Sequence, residues 1–142
     1  AVRAEAAGAV ESGAVVLVKA VDLPGLSPRA RPICSSLRVD AVFPSGDRKV
    51  LLDIPDWDHH QRESYVPSRP IRLPAGTTLL ASFQLDNTSA NPRNPDDPAI
   101  EIRRGRRTGV LNVIAHVAAV DPEFDADLRA LRSRLSSKLM RP

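Results

Sequence analysis

Leu37-Arg38-Val39-Asp40-Ala41-Val42-Phe43, then Pro44-Ser45-Gly46-Asp47, then Val50-Leu51-Leu52-Asp53-Ile54 is the stretch that decides the fold. Its first segment alternates apolar and polar side chains, the period-two signal of a strand with one dry face and one wet face. Proline, serine, glycine and aspartate in succession set a tight turn. The aliphatic run that follows returns as the partner strand, so the three pieces read as a β-hairpin.

Outward from the hairpin the same grammar recurs. Toward the C-terminus, Pro74-Ala75-Gly76-Thr77 reads as a turn into a strand over Thr78–Leu85. Asp86–Pro98, with three prolines and three asparagines, reads as a long ordered loop whose Asn side chains cap its turns. Ile100–Arg103 alternates again, and Gly109–Val120, apolar on both faces, reads as a central strand covered on both sides. Toward the N-terminus, Val15–Val21 is β-branched and reads as a strand. Asp22–Arg31 holds Pro24, Gly25 and Pro28 and reads as a loop.

The 13 prolines in 142 residues disfavour helix interiors and central strands, and so favour short strands with structured loops. The resulting expectation is an all-β, antiparallel jelly-roll sandwich of eight or so strands over residues 14–120. Residues 1–13, rich in Ala, Gly and Glu, read as a mobile N-terminal arm. Residues 121–142 read as a C-terminal amphipathic α-helix. Asp121-Pro122-Glu123 supplies an N-cap, a first-turn proline and a first-turn acid. Phe124, Leu128, Leu131, Leu135 and Leu139 follow at spacings of 4, 3, 4 and 4, one apolar stripe.

Composition narrows the function classes. A chain of 142 residues suits one domain with a real core. A formal net charge of +3 is mild and does not of itself imply nucleic acid. Arg103, Arg104, Arg106 and Arg107 form the densest basic run, but Phe, Trp and Tyr are too few for base-stacking platforms, which favours a solvated hairpin or an acidic protein partner. The longest apolar run, Val15–Val18, cannot cross a bilayer. The single cysteine, Cys34, can form no intrachain disulfide and reads as a small core residue.

Three polar groupings merit weighing as sites. His59 and His60 are adjacent, and on a strand they would point to opposite faces. Asp58 and His60 alone offer too few ligands, so an ordinary surface loop is the better reading. Ser64 with Asp58 and either histidine has the residue types of a triad but sits too close in sequence to converge without a special turn. His116, within Ile114-Ala115-His116-Val117-Ala118, reads as a hydrogen-bonded core histidine.

The series from Leu37 to about Val120 carries a resemblance. It runs Phe43-Pro44-Ser45-Gly46, then Val50-Leu51-Leu52-Asp53-Ile54-Pro55-Asp56-Trp57-Asp58, Tyr65 and Arg72-Leu73-Pro74-Ala75-Gly76-Thr77. It closes with Asp86-Asn87-Thr88-Ser89-Ala90-Asn91-Pro92-Arg93-Asn94-Pro95, followed by Gly105 and Thr108. This resembles the C-terminal domain of the copper type II, ascorbate-dependent monooxygenases, the peptidylglycine- and dopamine-hydroxylating superfamily, and its bacterial members especially. In that family a His-x-His pair and a Met hold one copper in this domain. The pair falls here on Arg29 and Arg31, the Met on Asn112, and a further common His on Gln84. Copper needs imidazole, thiolate or thioether donors. Arg is a cation with no lone pair at any accessible pH. The resemblance therefore implies a degenerate member without copper or other cofactor.

The function expected is a non-catalytic interaction or scaffold domain, an accessory subunit of a larger bacterial assembly. Its partners would be other protein subunits, with no nucleic acid and at most peripheral membrane contact through the C-terminal helix. The leucine stripe packs either on its own sandwich or on another subunit, and the candidate partner-binding residues are Phe124, Leu128, Leu131, Leu135 and Leu139 of that stripe and the run Arg103, Arg104, Arg106 and Arg107. The resemblance also implies a periplasmic or exported location. The alternative is a copper-dependent monooxygenase half-domain with relocated ligands, against which stand only three His and one Met.

Overall fold

The computed structural model describes residues 2–61, 63–102 and 111–120. Among these the chain forms seven strands: β1 (Ala6–Val16), β2 (Val21–Arg29), β3 (Cys34–Val42), β4 (Arg48–Ile54), β5 (Ile71–Leu73), β6 (Thr78–Asn87) and β7 (Asn112–Ala119). They make two antiparallel sheets, a four-stranded one in the order β1-β6-β3-β4 and a three-stranded one in the order β5-β2-β7. The fold is all-β, as the alternation predicts. The 121–142 helix, with its stripe from Phe124 to Leu139, lies outside the described residues, as do Arg103, Arg104, Arg106 and Arg107.

The two sheets share one hydrophobic core. On β6, Leu79, Ala81, Phe83 and Leu85 are buried while Leu80, Ser82 and Gln84 between them are not, which is the pleat written as burial. Leu37, Val39 and Ala41 of β3 join them, and Val21, Leu23 and Leu26 of β2 with Val113 and Ala115 of β7 supply the opposing layer. Burying a side chain such as Phe83 or Leu37 contributes about 1.5–3 kcal/mol relative to leaving it exposed. The decisive hairpin forms as read: β3 and β4 pair from Leu37↔Ile54 to Val42↔Arg48. Its turn closes with the Gly46 amide donating to the Phe43 carbonyl at 2.9 Å. Gly46 has φ of 91°, where a Cβ would be strained.

Four segments depart from the sequence reading. Much of the 1–13 arm is strand: β1 pairs with β6 from Ala6↔Asn87 to Val16↔Thr78. Its small residues leave most of it at least partly wet, so no apolar period marks it, and backbone bonds hold it instead. The single strand expected over Val15–Val21 is two strand ends with a bend between, since β1 stops at Val16 and β2 starts at Val21. Among the described residues β7 is an edge strand and not a central one.

The fourth departure matters most for the site. Asp22–Arg31, expected as a loop, is largely strand β2. Pro24 is tolerated because the register breaks between Asp22 and Gly25. Pro28 is tolerated for a different reason. Leu26 exchanges both backbone bonds with Tyr65, on the side away from β7. Bonding direction alternates along a strand, so Pro28 turns its donorless nitrogen to that same side. There β5, which pairs only with Val21–Leu23, no longer runs beside it.

The Asp86–Pro98 segment is ordered through its asparagines. Asn87 is fully buried, and its Nδ2 donates to the carbonyls of Arg3 (2.9 Å) and Ile100 (2.8 Å). Asn94 donates to Asn87 Oδ1 at 3.1 Å, and Asn91 donates to the Asp86 carbonyl at 2.7 Å.

Candidate functional site

The end of β2, the start of β7 and the 57–65 loop meet at one place. Arg29 and Asn112 are direct register partners across the β2–β7 ladder. Arg29 and Arg31 line a cavity of about 350 Å³ together with Pro28, Ala30, Pro32, Trp57 and His59. Three of the four degenerate ligand positions are thus neighbours along the chain or across the ladder. Gln84 is not one of them. It lies exposed on β6 in the other sheet, where its side-chain oxygen accepts a bond from Ser36 Oγ at 3.1 Å.

The chemistry of this set is cationic and amidic. Arg31 is half-buried, and burial pulls its pKa down while the charge of Asp96 pulls it back up. It remains a cation, because a guanidinium starts from so high a value. Asn112 is buried, and its Oδ1 has no hydrogen-bond partner among the described residues. One amide oxygen beside two guanidinium groups is not a donor set for copper. These residues do not fit the ion.

The 57–65 loop is anchored at both ends. At one end the Trp57 amide donates to the Ser35 carbonyl at 2.9 Å, and its indole Nε1 donates to the Ala30 carbonyl at 3.3 Å. At the other, Tyr65 exchanges bonds with Leu26 at 2.8 and 3.0 Å. Gly25 permits this approach, since a Cβ there would meet the Tyr65 carbonyl oxygen at 3.2 Å.

Between the anchors Asp58–Gln61 forms a turn, closed by the Gln61 amide on the Asp58 carbonyl at 3.0 Å. Asp58 Oδ1 accepts from the His60 backbone amide at 2.9 Å and bonds His60 Nδ1 at 3.1 Å. The backbone bond leads in holding the Asp58 carboxyl below its usual pKa. The turn also corrects the expectation that the adjacent histidines face apart. The segment is not a strand, and the two rings stand 3.8 Å apart, centroid to centroid.

Ser64 makes no triad with Asp58 and its histidines. Its Oγ lies 2.7 Å from Ser27 Oγ, which lies 2.7 Å from His116 Nε2. His116 is hydrogen-bonded, as the sequence reading held, but it is only part-buried and not a core residue, and the chain of three polar groups ties the loop to β2 and β7. Cys34 is buried, and desolvation pushes its thiol up to about 12, so it is inert at neutral pH.

The convergence of Arg29, Arg31, Trp57 and His59 on one cavity went unseen in the sequence, because Asp22–Arg31 read as loop. The alternation Leu26–Pro28, with a possible partner in the 57–65 stretch, was the available signal. No family model matches this chain, and no curated protein or solved structure matches it.

Proposed function

We propose that the chain is a non-catalytic interaction module, a degenerate jelly-roll relative of the copper monooxygenase C-terminal domain. In this reading it serves as an accessory subunit of a larger bacterial, extracytoplasmic assembly. The observation that carries the non-catalytic part is the rung Arg29↔Asn112, with Arg31 beside it, at the positions the resemblance assigns to copper ligands. A docking role is supported by β1. Its outer edge has no strand partner among the described residues, and an open edge is a template for strand addition. Val10 and Val16 on it are 65% and 54% exposed, and Val18 just beyond is 66% exposed.

Purification under native conditions, with metal analysis and identification of co-purifying chains, tests the reading. The expected result is a copper-free chain in defined stoichiometry with a partner, from which Val10→Lys and Val16→Lys release it. Stoichiometric copper in the purified chain would instead support the half-domain enzyme with relocated ligands.

A further inference from the structure

We propose that Asp58, His59 and His60 form a binding site for a divalent transition-metal ion of the zinc class, with Asp58 Oδ1, His59 Nδ1 and His60 Nδ1 as donors. The site takes none of its donors from the degenerate positions, although His59 lines the same cavity as Arg29 and Arg31, and it does not depend on the docking reading. One potential ligand atom from each of the three side chains lies within 4.8 Å of the others. From Asp58 Oδ1 the separations are 3.1 Å to His60 Nδ1 and 4.0 Å to His59 Nδ1. A tetrahedral ion with bonds of about 2.1 Å has donor–donor edges of roughly 3.4 Å. The observed pair brackets that edge, and the two rings, whose centroids stand 3.8 Å apart, must swing apart for both nitrogens to point at one ion.

A second observation is independent of the spacing. His59 Nδ1 is buried and has no hydrogen-bond partner among the described residues. Buried polar atoms normally find one. An ion between the three donors would give it one.

The donor types select the metal. Two imidazole nitrogens and one carboxylate oxygen suit zinc and its neighbours in the first transition row; calcium and magnesium prefer all-oxygen shells. Three protein donors leave one tetrahedral position for water or for a group from a partner. The anchors at Trp57 and Tyr65 and the closed Asp58–Gln61 turn hold the donors near each other beforehand, which lowers the ordering cost of binding. Opposing charges are present: Arg29 and Arg31 line the cavity that His59 also lines, and Arg93 acts on Asp58. The Asp58 carboxylate, itself a donor, stands closer to the ion than any group that does not coordinate it.

The test uses the full chain, stripped of metal with chelator and titrated with Co²⁺ as a spectroscopic stand-in for Zn²⁺. One Co²⁺ per chain should bind with visible ligand-field bands of low symmetry, and Zn²⁺ should displace it. His60→Ala and His59→Ala should each weaken Zn²⁺ binding by at least about tenfold. Glu63→Gln, an exposed acid of the same loop, should leave it unchanged. His60 is 79% exposed, so its replacement spares the fold. Absence of saturable bands, or undiminished affinity in His60→Ala, would overturn the site. Neither result bears on whether the chain docks on a partner, which co-purification reads separately.

Discussion

The four-stranded sheet and the three-stranded sheet are built on different principles. In the first, β6 sends Leu79, Ala81, Phe83 and Leu85 inward at every second position, and neighbouring strands run alongside it for most of its length. In the second, β2 breaks register between Asp22 and Gly25, loses β5 after Leu23 and takes the 57–65 loop as its neighbour at Leu26. The first closes through apolar area. The second buries Val21, Leu23, Leu26, Val113 and Ala115 in the same core and adds directional bonds among Ser27, Ser64, His116, Leu26 and Tyr65. Regular pairing makes a scaffold. Interrupted pairing leaves backbone and polar side chains free to position a loop, and that loop carries Asp58, His59 and His60.

If this division holds, Phe83→Ala should have the largest effect on stability. It removes a ring that is 1% exposed from the shared core and should cost about 3–5 kcal/mol in urea unfolding. Zn²⁺ affinity of the folded variant should stay unchanged, and a parallel loss of both would break the comparison. Gly25→Ala comes next, at about 1–2 kcal/mol, because its Cβ crowds the Tyr65 carbonyl at 3.2 Å. Its signature should be local: faster hydrogen exchange at the Tyr65 and Leu26 amides, with β3 and β6 protected as before.

Ser27→Ala should cost about 1 kcal/mol by removing the hydroxyl between Ser64 and His116. The ring resonances of His116 should move in the NMR spectrum of that variant, while those of His60 should not. The smallest effect is electrostatic. Arg72 holds Asp22 below the ordinary aspartate pKa, chiefly through its hydrogen bonds. A depressed carboxylate contributes stability above its unfolded pKa of about 3.9 and loses it as pH falls through the lower folded value. Arg72→Ala should raise the Asp22 midpoint seen by NMR and leave stability at neutral pH nearly unchanged, as exposed pairs do.

The same division explains what the sequence disclosed. The β3–β4 hairpin and β6 were legible because their side chains alternate against a core, and Gly46 and Gly76 mark the turns beside them. β1 was hidden because Ala6, Ala7, Gly8 and Ala9 carry too little apolar contrast to show a period. β2 was hidden because Pro24 and Pro28 signal a loop unless the neighbouring strand is known to end or slip beside them. At the candidate site, the residue types of Asp58, His59 and His60 were visible, but their convergence depends on a turn closed by the Asp58 carboxylate and carbonyl. The pairing of Ser64 with Ser27 spans 37 residues, and no local pattern announces it.

Pro28 has a consequence for how this sheet meets other molecules. A strand that ends in open N–H and C=O groups invites another chain to lie alongside and continue the sheet. Beyond Leu26, whose two groups are occupied by Tyr65, β2 offers a ring carbon where the next donor would stand. An incoming strand could not complete its ladder at that rung, so this margin resists fibre-like stacking of copies, and self-association is steered toward the other margins of the molecule.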